Sequence, residues 1–374
     1  MKKKVSILAL HLGYGGIEKS ICSRANILCD EIETEIISLY KTVDKIPYEL
    51  DKRVKVKYLT NLKPNKEEFK YKLKRFNLIG AFIEGLKSLK ILYLKKHLIK
   101  KYIKKCDSKI IISTRLEFNE LLNKYHNKDT ITICEEHAYH HNDEKYISRV
   151  KSSLTNIDYF MPSSMYLKND YDKFLKGMSV KVKYIPLTID KINECNKLDN
   201  YNIISVGRLS KEKGYDDLID VMKLVRLKSE KIKLTICGDG PEKNHLQELI
   251  DNEYTLWEHV KITGFLDQYE LDKYYKNASL YVMTSHEESF GLVLLEAMSY
   301  GIPCFAFDSA LGACEIINNK NGKLIQNRDK EKMASEIIKY FKEKNNYDTI
   351  KTIEKYYVEN VKKEWKKFVN ELIM

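Results

Sequence analysis

The stretch TSHEESFGLVLLEAMSYGIPCFAFD, residues 284–308, decides how the rest of the chain reads. It runs strand end, loop, helix, tight turn, strand. Glu288 sits in the loop, and Glu296 lies eight positions on, inside the apolar helix Leu292–Met298. Tyr300-Gly301 closes that helix, because glycine supplies the left-handed conformation that other residues avoid, and Pro303 opens the next strand. The loop Ser289-Phe290-Gly291 leaves backbone N–H groups free at the helix start, where they favour a phosphate. Eight residues at helical rise span at most about 12 Å, roughly the reach from a ribose across a diphosphate to a sugar. Glu296 falls among core-type residues, where an unpaired carboxylate is costly. An ordinary βαβ unit with two solvated glutamates therefore fits the stretch less well than a ligand site.

Around this stretch the second half alternates strands and helices in a doubly wound pattern. Strands are expected at 203–206, 233–237, 260–263 and 280–284. The first ends in Gly207-Arg208-Leu209-Ser210-Lys211-Glu212-Lys213-Gly214. Two cations at the carboxyl end of a strand can offset charge growing on a leaving group. The second ends in Gly238-Asp239-Gly240-Pro241, the third in Gly264-Phe265-Leu266. After Asp308, a helix at Leu311–Ile317, a segment at Asn321–Gln326 and a helix at Asp329–Lys344 follow. A last helix, Ile350–Leu372, carries Tyr356, Tyr357, Val361, Trp365, Phe368 and Val369.

The first half opens with a short apolar run, Val5–Leu10, after three lysines. It is too short for the apolar region of a signal peptide and ends at His11 and Gly13, so it reads as a buried strand. His11-Leu12-Gly13-Tyr14-Gly15-Gly16 is a glycine-rich loop before a helix at Ile17–Cys29. A triphosphate-binding loop would need glycine before Lys19-Ser20, where the chain has Glu18. The dinucleotide fingerprint fails in spacing. Strand Ile131–Cys134 ends in Glu135-Glu136-His137, a charged cluster where α/β proteins place chemistry. His140 and His141 follow, without a convincing zinc set. Asp170-Tyr171-Asp172 spells a metal–diphosphate motif in a polar, helical-looking stretch and reads as solvated surface. Residues 187–201 are polar and helix-poor and read as a linker.

These segments together resemble the retaining family-4 glycosyltransferases of the GT-B fold (glycosyl transferases group 1). Glu288-SFGLVLL-Glu296 resembles their E-x7-E motif, and Gly207–Gly214 their G-R-L-x-x-x-K-G segment. Gly15-Gly16-Ile17-Glu18 resembles the opening G-G-x-E/R, His137 the acceptor-side histidine, and Asn321-Gly322 the closing turn. The likeness is strong over residues 200–326 and weaker before them. It implies an α/β protein of two Rossmann-like domains facing across a cleft. These are an acceptor-binding domain (1–186), a linker (187–200), a nucleotide-sugar-binding domain (201–349) and a helix (350–374) packing back on the first domain. Glu296 would take the ribose hydroxyls, and Arg208 and Lys213 the diphosphate, aided by N–H groups of Phe290, Gly291 and Leu292. Glu288 would orient the sugar, and His137 would face it from the acceptor side. Gly15, Gly16, Gly207 and Gly238 would line the donor, with the backbone at Phe265 and Leu266 on the base. The implied reaction moves a hexose or N-acetylhexosamine from a nucleotide-diphosphate sugar, UDP-linked, to a glycan or lipid-linked glycan of a bacterial surface polysaccharide. It keeps the anomeric configuration and needs neither metal nor resident cofactor.

Composition sets bounds on this reading. The 374 residues suffice for two domains, and 43% hydrophobic with 32% charged content argues against a membrane-spanning chain. No apolar run approaches the ~20 residues of a membrane helix. The eight cysteines, at 22, 29, 106, 134, 195, 237, 304 and 314, form no C-x-x-C pair. They read as reduced thiols of a cytoplasmic protein. Net charge is +12, and residues 63–105 hold fourteen Lys or Arg against three acids, with apolar residues at helical spacing. Such a segment fits the anionic inner face of a plasma membrane, or a helix pair with snorkelling lysines. Three rivals remain. A sugar-nucleotide 2-epimerase on the same scaffold would convert the donor without acceptor. A basic nucleic-acid-binding protein would show steep salt-dependent affinity, but no nucleic-acid motif is present. An inactive sugar-nucleotide-binding subunit would not turn the donor over.

Overall fold

The computed structural model describes residues 2–190, 192–193, 200–343 and 346–373. The chain divides into two units: Met1–Ser163, Lys168–Ile185 and Lys362–Met374 form the first, and Ser164–Leu167 with Pro186–Val361 the second.

The first unit contains β1 (Lys2–Ala9), α1 (Gly16–Leu28), β2 (Glu33–Tyr40), β3 (Lys55–Thr60), α2 (Lys66–Lys74), α3 (Leu78–Lys105), β4 (Ser108–Ser113), α4 (Leu116–Tyr125), β5 (Ile131–Glu136), α5 (Glu144–Ser152), β6 (Tyr159–Pro162), α6 (Met165–Phe174, from Lys168 onward) and β7 (Lys181–Val182). The strands form one parallel sheet in the order β3-β2-β1-β4-β5-β6-β7. Helices cover both faces, so the central strands are apolar almost throughout; Val5, Ile7, Leu8, Ile110, Ile111 and Ile112 are all buried.

The second unit contains β8 (Asn202–Val206), α7 (Tyr215–Arg226), β9 (Lys233–Cys237), α8 (Lys243–Asp251), β10 (Val260–Ile262), α9 (Gln268–Lys276), β11 (Leu280–Met283), α10 (Leu292–Ser299), β12 (Cys304–Phe307), α11 (Leu311–Ile316), β13 (Gly322–Ile325), α12 (Lys330–Glu343) and α13 (Thr349–Thr352). Its six parallel strands are ordered β10-β9-β8-β11-β12-β13. Alternate side chains feed two cores, as the two-residue period of a strand requires. Leu280, Val282, Phe305 and Phe307 join α7 and α12 on one face. Tyr281, Met283, Cys304 and Ala306 join α10 and α11 on the other.

Three expectations need correction. The last helix, expected unbroken over Ile350–Leu372, is α13, a 3-10 turn at Glu354–Tyr356, and α14 (Val358–Ile373). The break has a backbone cause. Ile189 donates to the Tyr356 carbonyl (3.0 Å) and accepts from the Val358 amide (3.2 Å), so a bridge takes groups a helix would need. For the same reason residues 187–200 are not a free linker from the start, since Leu187 and Ile189 are buried in the second unit's core. Residues 191 and 194–199, with Cys195, lie outside the described residues, as do the end of the helix expected at Asp329–Lys344 and Met374. Third, Asp170-Tyr171-Asp172 is not a solvated strip. Tyr171 is fully buried among Phe160, Phe174 and His140, and Asp170 Oδ2 lies 3.3 Å from His140 Nε2.

From Lys362 onward α14 belongs to the first unit. Trp365 lies under the Arg24 guanidinium (5.4 Å), Phe368 packs edge-on to Tyr159, and Lys362 and Lys366 pair with Asp30 and Glu31.

Candidate functional site

In the second unit the strand order reverses between β8 and β11: β9 and β10 follow on one side, β12 and β13 on the other. Loops leaving the carboxyl ends of strands at such a reversal part from each other and open a ligand site. The loop after β8 carries Gly207, Arg208 and Lys213, and the loop after β11 carries Glu288. The two loops meet, with Lys213 Nζ 2.7 Å from Glu288 Oε2. They also meet through backbone, because the His286 amide donates to the Glu212 carbonyl at 2.8 Å. Gly214 permits the approach. Its φ of +60° is left-handed, and a Cβ there would stand 2.3 Å from the Thr284 carbonyl oxygen.

Gly291, at φ +96°, turns the chain into α10. Among the described residues, the Phe290, Gly291 and Leu292 amides donate to no protein group. They form an unfilled donor set at the positive end of the helix, on the same loop as Glu288. Leu294, Leu295, Ala297 and Met298 are buried under α10, whereas Leu292 and Glu296, four positions apart, share its part-exposed side. Glu296 is thus less enclosed than its apolar neighbours in sequence suggest, and the Tyr275 hydroxyl donates to it at 3.2 Å. Burial, with the Glu296 charge beside it, pushes the Tyr275 hydroxyl well up. Arg208 is exposed, and among the described residues its guanidinium makes no hydrogen bond or ion pair. Gly238 and the exposed Phe265, with Leu266 after it, follow β9 and β10 on the same edge of the sheet.

A residue that motif reading missed supports this edge. Arg328 donates to the Thr284 carbonyl (2.8 Å), the Ser285 carbonyl (3.0 Å) and Ser309 Oγ (2.8 Å), pairs with Asp217, and lies over the Phe307 ring. It fixes the start of the Glu288 loop. Asp217 also binds Lys330 at 2.6 Å, so its carboxyl is held below the usual range despite partial burial. Nothing short-range in the sequence marks this network.

The first unit's order reverses between β1 and β4. The loop after β1 carries Gly15 and Gly16. Tyr48 Oη bonds both the Gly15 amide (2.8 Å) and its carbonyl (2.9 Å). Glu18 is buried between His11 Nε2 (3.5 Å) and Arg115 Nη2 (3.3 Å). Beyond β5, Glu135 is buried with Arg24 and with His137 Nε2 at 3.0 Å. Burial alone would raise its pKa, but Arg24 and His137 hold it below the ordinary value. Its neighbour Glu136 accepts from the Ala138 amide and Tyr146 Oη, both at 2.8 Å, and burial still raises its pKa. His137, Gly15 and Gly16 therefore belong to this unit, and the structure joins His137 to Glu135. Among the described residues, no group of three or more His, Cys, Asp or Glu is placed to hold a metal.

Residues 189–356 match the family Glycosyl transferases group 1. The matched stretch lies within the second unit. The chain is 28% identical over 228 residues to the amylovoran biosynthesis glycosyltransferase AmsD of Erwinia amylovora, covering 58% of this chain and 62% of that protein. It spans about 40–60% of the length of the first curated relatives it matches. Among solved structures, TarM aligns over 99% of both chains with a TM-score of 0.77 at 19% identity. Anabaena Alr3699/HepE in complex with UDP aligns over 99% of this chain and 100% of its own, with a TM-score of 0.74 at 17% identity. The architecture is that of GT-B proteins, two Rossmann-like units, and the group 1 match falls in the second.

Proposed function

We propose that the protein is a retaining glycosyltransferase that moves a hexose or N-acetylhexosamine from a UDP-linked donor to a glycan or lipid-linked glycan. The carrying observation is the Lys213–Glu288 pair at the strand reversal, on the same loop as the unfilled amides of Phe290, Gly291 and Leu292. In this reading those amides, Lys213 and the exposed Arg208 bind the diphosphate, and Glu296 the ribose. The backbone at Phe265 and Leu266 meets the base. Glu288 orients sugar hydroxyls. The departing diphosphate takes up charge against two cations and aligned N–H dipoles, which act most strongly where charge develops. It also receives the acceptor proton, so positioning rather than a protein nucleophile lowers the barrier. The acceptor is assigned to the first unit, with His137. No metal is required when Arg208 and Lys213 are in place. The proposal includes a place in surface polysaccharide synthesis at the cytoplasmic side; AmsD is named for amylovoran biosynthesis.

The test is a screen of sugar nucleotides for thermal stabilisation, followed by donor turnover with and without chelator. A ligand that binds only the folded form raises its melting point. Stabilisation by UDP sugars and chelator-resistant turnover are expected. No response to any sugar nucleotide, or complete and reversible loss in chelator, would contradict the reading. Appearance of a new sugar nucleotide from donor alone would favour the epimerase.

A further inference from the structure

Helix α3 buries one side and leaves its apolar side bare. Gly80, Ala81, Glu84 and Ile91 are buried, and Asn65, at the start of α2, donates to the Glu84 carboxylate at 2.6 Å. On the opposite side Leu78, Phe82, Leu86, Leu89 and Tyr93 recur at the spacing of one helix face, each more than half exposed. Phe76, in the turn before the helix, is 88% exposed. Of twenty exposed large hydrophobic side chains among the described residues, eleven fall between Tyr71 and Tyr93. A patch this concentrated marks an interaction surface rather than the scatter normal for a protein exterior. At helical rise the stripe runs about 22 Å. Exposed Arg75, Lys87, Lys90 and Lys96 flank it, and the one acid between residues 69 and 106 is the buried Glu84.

We propose that the α2–α3 hairpin docks lengthwise on an anionic bilayer surface, with the stripe among the upper acyl chains and the flanking cations on lipid phosphates. The charge pattern selects this occupant. A second copy meeting face to face would set one cation-flanked stripe against another, and protein interfaces are depleted in lysine. An apolar stripe bordered by lysines is what an interfacial helix presents to anionic lipid. Among the described residues no helix is long and apolar enough to cross a membrane, so α3 lies on the surface. This inference does not depend on the sugar-nucleotide reading.

The test is flotation of the full chain with vesicles of phosphatidylcholine alone and of phosphatidylcholine mixed with phosphatidylglycerol. Flotation with the mixed vesicles, weak with the neutral ones and reduced by salt, is expected. A Phe82→Ser, Leu86→Ser, Leu89→Ser variant should lose it. Lys87→Gln with Lys90→Gln should weaken it roughly fivefold per charge removed. An unchanged unfolding midpoint shows that each variant is folded. Three results would overturn the proposal. One is no flotation with the mixed vesicles, and another is equal flotation with both. The third is a stable dimer that the serine variant converts to monomer.

Discussion

Lys213 Nζ and Glu288 Oε2, 75 positions apart in sequence, stand 2.7 Å from each other where the strand order of the second unit reverses. In the free protein each is the other's counterion. Under the proposed function a bound diphosphate would compete with Glu288 for the ammonium, and a sugar would give Glu288 new donors. The pair would then act as a relay between the two halves of the donor.

Replacing the two partners should separate those halves. Lys213→Ala should cut donor turnover by about 10²-fold or more, the scale of one lost preorganised donor, and weaken UDP binding. Glu288→Gln frees the ammonium, so UDP affinity measured by calorimetry should hold or rise. Turnover should still fall tenfold or more, since hydrogen bonds to charged groups contribute about 1.5–3 kcal/mol. Equal loss of UDP affinity in both variants would break the assignment.

Gly214 sets the height of the same pair. Gly214→Ala forces a side chain into φ +60° with its Cβ 2.3 Å from the Thr284 carbonyl oxygen, a backbone atom that cannot swing aside. The left-handed conformation costs about 1–2 kcal/mol and the overlap a further 1–3. Urea unfolding should show that loss, with weaker UDP binding beside it.

The motifs of the second unit were legible because they are contiguous: Gly207–Gly214 and Glu288–Glu296 each lie on a single loop–helix connection. What holds them was not. Arg328 is 111 positions from Asp217 and 44 from Thr284, and no local pattern announces those partners. The break before α14 was hidden because Tyr356, Trp365 and Phe368 keep core-type character on both sides of it, while the cause sits at Ile189. Asp170-Tyr171-Asp172 looked polar by composition, yet its central ring is a core residue of the first unit. Glu296 erred the other way, since apolar neighbours on a helix say nothing of which side a residue faces.

Arg328→Met should report on that hidden support. It leaves the Thr284 and Ser285 carbonyls without their donor, while Asp217 keeps Lys330. A loss of about 2–3 kcal/mol is expected from the hydrogen bonds to a charged group. UDP-induced stabilisation should shrink as the Glu288 loop loosens. Full stability and full UDP response would show that the loop needs no such support.

Glu135 and Glu136 should affect acid stability in opposite senses. The folded-state pKa of Glu135 is depressed, so its contribution is present above the unfolded value of about 4.3 and is lost as pH falls through the lower folded value. Glu135→Gln should reduce stability at neutral pH by about 3 kcal/mol, leaving Arg24 buried without its counterion, and flatten the acid limb. The folded-state pKa of Glu136 is raised, so its contribution is present below the unfolded value and is lost as pH rises through the folded one. Glu136→Gln should therefore hold or gain stability at neutral pH. Unfolding midpoints from acid to neutral pH check both signs.

The most direct measurement is a crystal structure of the chain with UDP bound. The account predicts diphosphate oxygens within hydrogen-bond distance of the Phe290, Gly291 and Leu292 amides and of Lys213 Nζ, with the ribose hydroxyls on Glu296. UDP bound elsewhere on the second unit, with those amides facing water and Lys213 still held by Glu288 alone, would contradict it.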